Sequence, residues 1–329
     1  MTDDTDPAQN DGLNEATALA QQLRLEITKA VLGQDDVIEQ TLIALLAGGH
    51  VLIEGAPGLG KTLLVQAIAK TFNGSFSRIQ FTPDLMPSDI SGHPLYDMQS
   101  GQFKVRKGPV FTNILLADEI NRAPAKTQAA LLEVMQEHQV TIDSKAYKLD
   151  EPFMTLATEN PLEQEGTYPL PEAQLDRFLL KILIDYPNEK NESLIVKKVT
   201  TGQLSDLLNV DSVETLIDPA RIISLQRATA SLQVDDRVLD YAVNITRKTR
   251  HWPGITVGAG PRGAIALVRA AKAAALLRGR DFVIPDDIKY IAVPALRHRI
   301  IITPEMEIEG QGPDQILAAV IDSVEAPRT

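Results

Sequence analysis

The stretch His50-Val51-Leu52-Ile53-Glu54-Gly55-Ala56-Pro57-Gly58-Leu59-Gly60-Lys61-Thr62-Leu63 decides the fold. An apolar run with the β-branched residues Val51 and Ile53 leads into a turn of small residues, and a helical pattern runs from Lys61 to about Phe72. The spacing G-x-x-x-x-G-K-T between a strand and a helix is a phosphate-binding loop. Gly55, Gly58 and Gly60 lack a Cβ, so the backbone can adopt unusual dihedrals and approach a triphosphate closely. With Ala56, Pro57, Leu59 and Leu63 they frame a concavity of N–H groups at a helix start, where the helix dipole favours an anion. Lys61 supplies a point charge for the β and γ phosphates of ATP, and the Thr62 hydroxyl suits Mg²⁺.

A second stretch, Asn113-Ile114-Leu115-Leu116-Ala117-Asp118-Glu119, is too continuously apolar for an exposed strand and ends in two acids. A buried strand of a parallel sheet whose carboxyl end reaches a site has this pattern. Asp118 then suits the metal, as a second Mg²⁺ residue beside Thr62, and Glu119 suits the attacking water. As an isolated Asp-Glu pair these residues also fit an exposed turn; the apolar run before them favours the site.

The surrounding chain has room for two domains. It holds 329 residues, 44% hydrophobic and 23% charged, which fits a soluble globular protein. Its 44 acids against 32 bases give a formal net charge of -12, which disfavours nucleic acid as the default partner. Without cysteine there is no disulfide, thiolate zinc site or cysteine nucleophile, and the five histidines form no ligand pair. The first fifteen residues are acidic with no apolar core, the reverse of a signal peptide, and the most apolar helix, Ala264 to Leu277, is interrupted by Arg269 and Lys272. The expectation is a cytoplasmic protein without membrane insertion.

Residues 1–14 read as an acidic, disordered tail. Residues 15–186 read as an α/β nucleotide-binding domain. Leu19, Leu23, Ile27 and Val31 mark one helix and Val37, Ile38, Leu42 and Leu46 another. Further core strands are expected near Phe76 to Phe81, Phe153 to Thr158 and Leu180 to Ile184, and hairpins at Ser91 to Phe111 and Val140 to Leu149. Strands alternating with helices imply a parallel sheet, here five-stranded, sandwiched by helices. From about Pro187 the strand pattern stops, and residues 187–329 read as an all-helical second domain.

These two motifs, followed by Ala157-Thr158-Glu159-Asn160-Pro161, by Pro171-Glu172-Ala173-Gln174-Leu175-Asp176-Arg177-Phe178 and by Gly260-Pro261-Arg262, resemble the MoxR family of AAA+ ATPases over roughly Gln22 to Ile301. The resemblance implies a P-loop AAA+ fold with a helical lid, working as a homo-oligomeric ring, expected to be a hexamer. Asn160 matches the polar sensor that contacts the γ-phosphate and the water, and Glu159 departs from the glutamine frequent beside it. Arg177 matches the arginine finger that reaches ATP on the adjacent subunit. Arg262 matches a lid sensor that closes on the nucleotide of its own chain. Val31 to Gln34 matches the linker that contacts adenine, with Gln34 as its polar member. The two hairpins match inserts that face partners or a central pore, and the implied clients are proteins carrying von Willebrand factor A domains or other proteins.

Read without the resemblance, Asn160 before a proline suits a turn, Arg177 beside Asp176 a local ion pair, and Arg262 a solvated first-turn residue. Arg122 competes with Arg177 as an arginine acting in trans. The main expectation is an Mg²⁺-dependent ATP hydrolase that remodels protein clients. A DNA-directed motor is an alternative, with Lys104, Arg106 and Lys107 able to track a phosphate backbone although a solvated hairpin face suits them better, and a nucleotide-dependent adaptor with little turnover is another.

Overall fold

Alternation along one strand sets the layers. In β1 (Val51–Glu54) Val51 and Ile53 enter one hydrophobic core while Leu52 enters a second one on the opposite face of the sheet. The same split separates Ile114 and Leu116 from Leu115 and Ala117 in β5 (Ile114–Asp118). A sheet apolar on both faces has to be covered on both, which is why these strands read as unbroken apolar runs. The computed structural model describes residues 7–99, 101–161, 166–200 and 209–327.

The chain begins with α1 (Pro7–Ala30) and α2 (Asp35–Leu46), whose first-turn acids Asp35 and Asp36 face the positive end of the helix dipole. After β1 come α3 (Lys61–Thr71), β2 (Phe76–Gln80) and α4 (Pro87–Ser91). An antiparallel hairpin, β3 (Gly92–Asp97) with β4 (Gln102–Lys107), precedes β5. Then follow α5 (Ala125–Glu137), a second hairpin of β6 (Gln139–Ile142) and β7 (Lys145–Lys148), β8 (Met154–Glu159), the single turn α6 (Glu172–Leu175) and β9 (Leu180–Leu183). The five core strands run parallel in the order β2-β5-β8-β1-β9. Consequently β1, β8 and β5 lie side by side, and the loops leaving their carboxyl ends share one edge of the sheet.

The remainder is α7 (Glu189–Thr200), α8 (Pro219–Ser231), α9 (Asp236–Thr249), β10 (Ile255–Val257), α10 (Pro261–Leu277), α11 (Pro285–Leu296), β11 (Ile301–Ile302), α12 (Pro304–Ile308) and α13 (Pro313–Asp322). Pro261 occupies the first turn of α10, where its missing N–H costs nothing, and Gly279 follows with φ +75°. Helix α10 packs against α1 and α2, so the helical layer backs onto the first core rather than hanging free.

Three expectations need adjustment. Helix α1 already runs from Pro7, inside the stretch expected to be a disordered tail, and residues 1–6 lie outside the described residues. The second domain also contains an antiparallel ribbon of β10 and β11, two short strands whose alternation is too brief to read. The all-helical reading of residues 187–329 is described only in part, since α7 is described to Thr200 and 201–208 lie outside the described residues, as do 162–165 after β8.

The residues after α11 clamp the two domains together. Arg299, whose side chain is nearly buried, donates to Asp176 Oδ1 (2.8 Å), Phe178 O (2.7 Å) and Leu179 O (3.1 Å). His298 Nε2 meets Phe178 O at 3.0 Å, and Arg297 donates to Lys181 O at 3.2 Å and to Asp314 Oδ2 at 2.8 Å. Unpaired carbonyls at the entrance to β9 thus find their donors on the helical domain.

His50, just before β1, is buried too. Its Nδ1 accepts the Thr155 N–H at 3.0 Å, which leaves Nε2–H to donate to Met135 O at 3.1 Å, so the neutral ring ties β8 and α5 to β1. Burial drives its pKa from the usual 6.5 down to about 4, and His298 is likewise held well below 6.5. The unfolded chain therefore binds the extra proton first, and this stability is complete above pH 6.5 and lost as pH falls toward 4. We predict that chemical denaturation at pH 5 shows about 2 kcal/mol less stability from His50 than at pH 7. In His50→Gln the decline between those pH values should be shallower, and an unchanged slope would remove His50 as its source.

Candidate active site

The loop after β1 closes over the start of α3 in a way that explains its glycines. A Cβ on Gly55 would lie 2.4 Å from Ile184 O, so this position requires the absence of a side chain. Gly58 and Gly60 have φ of +83° and +80° with open space above them, so there the demand is conformational. Gly60 caps α3, whose first residues Lys61 and Thr62 line a trough of about 980 Å³. Lys61 Nζ donates to Gly55 O at 2.5 Å. Burial lowers the Lys61 pKa, while Asp118, Glu119 and Glu54 act in the opposite direction.

The trough runs between α3 and the end of β5, and Asp118, Glu119, Thr158 and Asn160 line its far wall. The two acids are tied into a ring of hydrogen bonds. Thr158 Oγ1 donates to Asp118 Oδ1 at 2.6 Å and accepts the Glu119 N–H at 2.9 Å. Gln80 Nε2 and Arg122 Nη1 donate to Glu119 Oε2 at 2.8 and 2.9 Å, and Arg78 Nη2 donates to Asp118 Oδ2 at 2.6 Å. Glu119 has φ +55°, a left-handed conformation that a residue with a side chain adopts at a cost, and these contacts hold it there. Asn160 is buried at the end of β8, beside the acids.

Oxygen donors of Thr62 and Asp118 in one trough fit a hard divalent cation. Among the described residues no group of three or more His, Cys, Asp or Glu forms a protein cage for a metal. Phosphate oxygens and water would have to complete its shell, as Mg²⁺ prefers.

On the other side of Pro57 to Gly60 lies a smaller apolar pocket of about 300 Å³, lined by Val31, Gln34, Leu59, Leu63, Tyr186 and Ile195 among others. Gln34 Nε2 is anchored to Asp185 O at 2.8 Å, and Leu63 faces both pockets. Its lining suits a flat, weakly polar group continuing from the phosphate loop.

Glu159, next to Asn160, points elsewhere. It meets Glu54 across Lys181, whose Nζ lies 2.6 Å from Glu54 Oε2 and 3.8 Å from Glu159 Oε2. Burial, and secondarily Glu54, raise the Glu159 pKa, and Lys181 opposes them.

The two later arginines stand apart from this trough. Arg177 donates to Leu132 O at 2.5 Å and lines a separate cleft of about 370 Å³ with Asp176, Arg262, Arg269 and Arg299. Arg262, expected to close on the nucleotide of its own chain, lines neither nucleotide-side pocket. Its Nη1 lies 3.6 Å from Asp176 Oδ2. The reason is the packing of α10 against α1 and α2, which puts its first turn beside the Asp176–Arg177 turn.

Arg78, Gln80, Thr158 and Lys181 escaped the sequence reading. The i, i+2 spacing of Arg78 and Gln80 does put them on one face of β2, but strand order decides that this face meets Asp118.

Over residues 50–180 the chain matches the ATPase family associated with various cellular activities (AAA), and over residues 247–320 it matches the AAA lid domain. It is 40% identical over 335 residues to a Mycobacterium tuberculosis protein named chaperone MoxR1, covering 98% of this chain and 86% of that one. Identity is 46% over 301 residues to the uncharacterised protein YeaC of Bacillus subtilis, with 92% of each chain covered. It is 32% over 322 residues to protein MoxR of Methylorubrum extorquens, covering 92% of this chain and 93% of that one. A crystal structure from Cytophaga hutchinsonii shares the fold with a TM-score of 0.89 at 42% identity, over 97% of this chain and 98% of that one. With agreement of this kind along almost its whole length, the chain belongs to the MoxR family of AAA+ ATPases.

Proposed function

We propose that the protein is a Mg²⁺-dependent ATP hydrolase that works as a ring of identical subunits, a hexamer, and remodels partner proteins. One observation carries the ring: Arg177 and Arg262 share a cleft away from the trough that holds Lys61, Asp118 and Glu119 of their own chain. A site that uses all five residues would then be completed by a second copy.

In this reading the N–H groups of Gly58 to Thr62 and the Lys61 ammonium bind the phosphates, and the apolar pocket at Gln34 and Leu63 takes the adenine. Thr62 and Asp118 would hold Mg²⁺, which neutralises charge on the β and γ phosphates when bound. Glu119 orients the attacking water, and Asn160 fixes the γ-phosphate side of that water. Arg177 reaches the transferring phosphoryl group of the adjacent subunit, and Arg262, from the same cleft, acts in trans beside it. The client is a protein, and carriers of von Willebrand factor A domains are the class to test first. The relative named chaperone MoxR1 supports a remodelling role.

Two experiments test the assignment. Arg177→Ala should bind ATP like the wild type and lose turnover by roughly 10³- to 10⁵-fold, the contribution of an arginine supplied in trans; undiminished phosphate release would take Arg177 out of the mechanism. Glu119→Gln should retain ATP without hydrolysing it. Mixing Glu119→Gln with Arg177→Ala should then recover turnover, because one interface in the mixed assembly combines an intact acid with an intact arginine. No recovery on mixing would refute the shared site.

A further inference from the structure

The trough also holds a cation to which this chemistry gives no task. Arg78 sits on the edge strand β2 opposite Leu116, two residues before the Gln80–Asp118 pair. Its Nη2 and Nε approach Asp118 Oδ2 at 2.6 and 3.2 Å, and Nη2 also donates to Gln80 Oε1 at 3.1 Å. Since Thr158 occupies Asp118 Oδ1, both oxygens of this carboxylate are engaged by the chain itself. The partners differ in freedom: the Arg78 side chain is 48% exposed and that of Asp118 is 17% exposed. Arg78 can therefore swing away without disturbing the core, and Asp118 cannot.

A guanidinium and a divalent cation repel each other and compete for the same lone pairs. We infer that Arg78 is a tethered counter-cation, a positioning residue that holds Asp118 in the nucleotide-free chain and gives up its Oδ2 when a metal takes that oxygen. While Arg78 stays in place it shields the triphosphate from the negative charge of Asp118. Once released, it remains in the trough as an additional positive group on the phosphate side. This inference rests on the nucleotide reading of the trough, and it concerns what Asp118 does before that site is filled.

The consequence is measurable as coupling between metal and nucleotide. Calorimetric titration of the full chain with ATP in excess EDTA and again in saturating Mg²⁺ gives the ratio of the two dissociation constants. In Arg78→Ala the bare Asp118 weakens metal-free binding, and no ion pair has to break when the metal is present. Both effects enlarge the ratio, by roughly two- to fivefold for a half-exposed pair. Arg78→Lys should keep the wild-type ratio. In an Asp118→Asn background, adding Arg78→Ala should leave the ratio where Asp118→Asn alone puts it. A ratio in Arg78→Ala equal to that of the wild type, or a change that persists without the Asp118 charge, would overturn the proposal. A wild-type chain that binds no ATP in either condition would remove the nucleotide reading along with it.

Discussion

A partly buried ammonium within the field of three carboxylates is the constraint from which the site follows. Lys61 is desolvated at the start of α3, and Asp118, Glu119 and Glu54 compensate its charge. Such an arrangement is stable only if the acids are held at a fixed distance and with their remaining oxygens occupied. Thr158, Gln80, Arg78, Arg122 and Lys181 supply those bonds; four stand on strands of the one parallel sheet, and Arg122 ends the short turn that follows β5. The sheet order β2-β5-β8-β1-β9 brings them within reach, and without it the same residues would be scattered charges on separate strands.

The sheet is in turn fixed by the two cores that alternate along its strands. Val51 and Ile53 cannot exchange places with Leu52 without a slip that would also rotate Glu54 and displace Gly55 from Ile184. Packing register and loop geometry are therefore a single property here. His50 reinforces that register with hydrogen bonds to β8 and α5, at the opposite end of β1 from the phosphate loop.

What was legible in the sequence shares a physical character. The phosphate loop, the apolar run into Asp118 and Glu119, and helices such as α10 are written in short-range patterns, a turn requirement or a periodicity. The placement of Arg262 was not legible, because it depends on how α10 docks against α1 and α2, a long-range fact with no local signature. The roles of Arg78, Gln80 and Thr158 were hidden for the related reason that parallel pairing joins strands far apart in the chain. The ribbon of β10 and β11 is too short to announce itself, and the start of α1 lay beneath an acidic composition that suggested disorder. Glu159 illustrates a finer limit: its neighbour Asn160 faces the trough, whereas Glu159 shares Lys181 with Glu54.

The buried Arg299 clamp has a mechanical meaning of its own. Its guanidinium is spent on the carbonyls of Phe178 and Leu179 and on Asp176, flanking Arg177 on both sides, so the helical layer and that turn travel as one solid piece. A tilt of the helices would be felt first at the Asp176–Arg177 turn, on the cleft side, rather than in the trough that holds Lys61 and Asp118. The carboxyl-terminal domain is thus less a cover for the trough than a handle on the turn that carries Arg177.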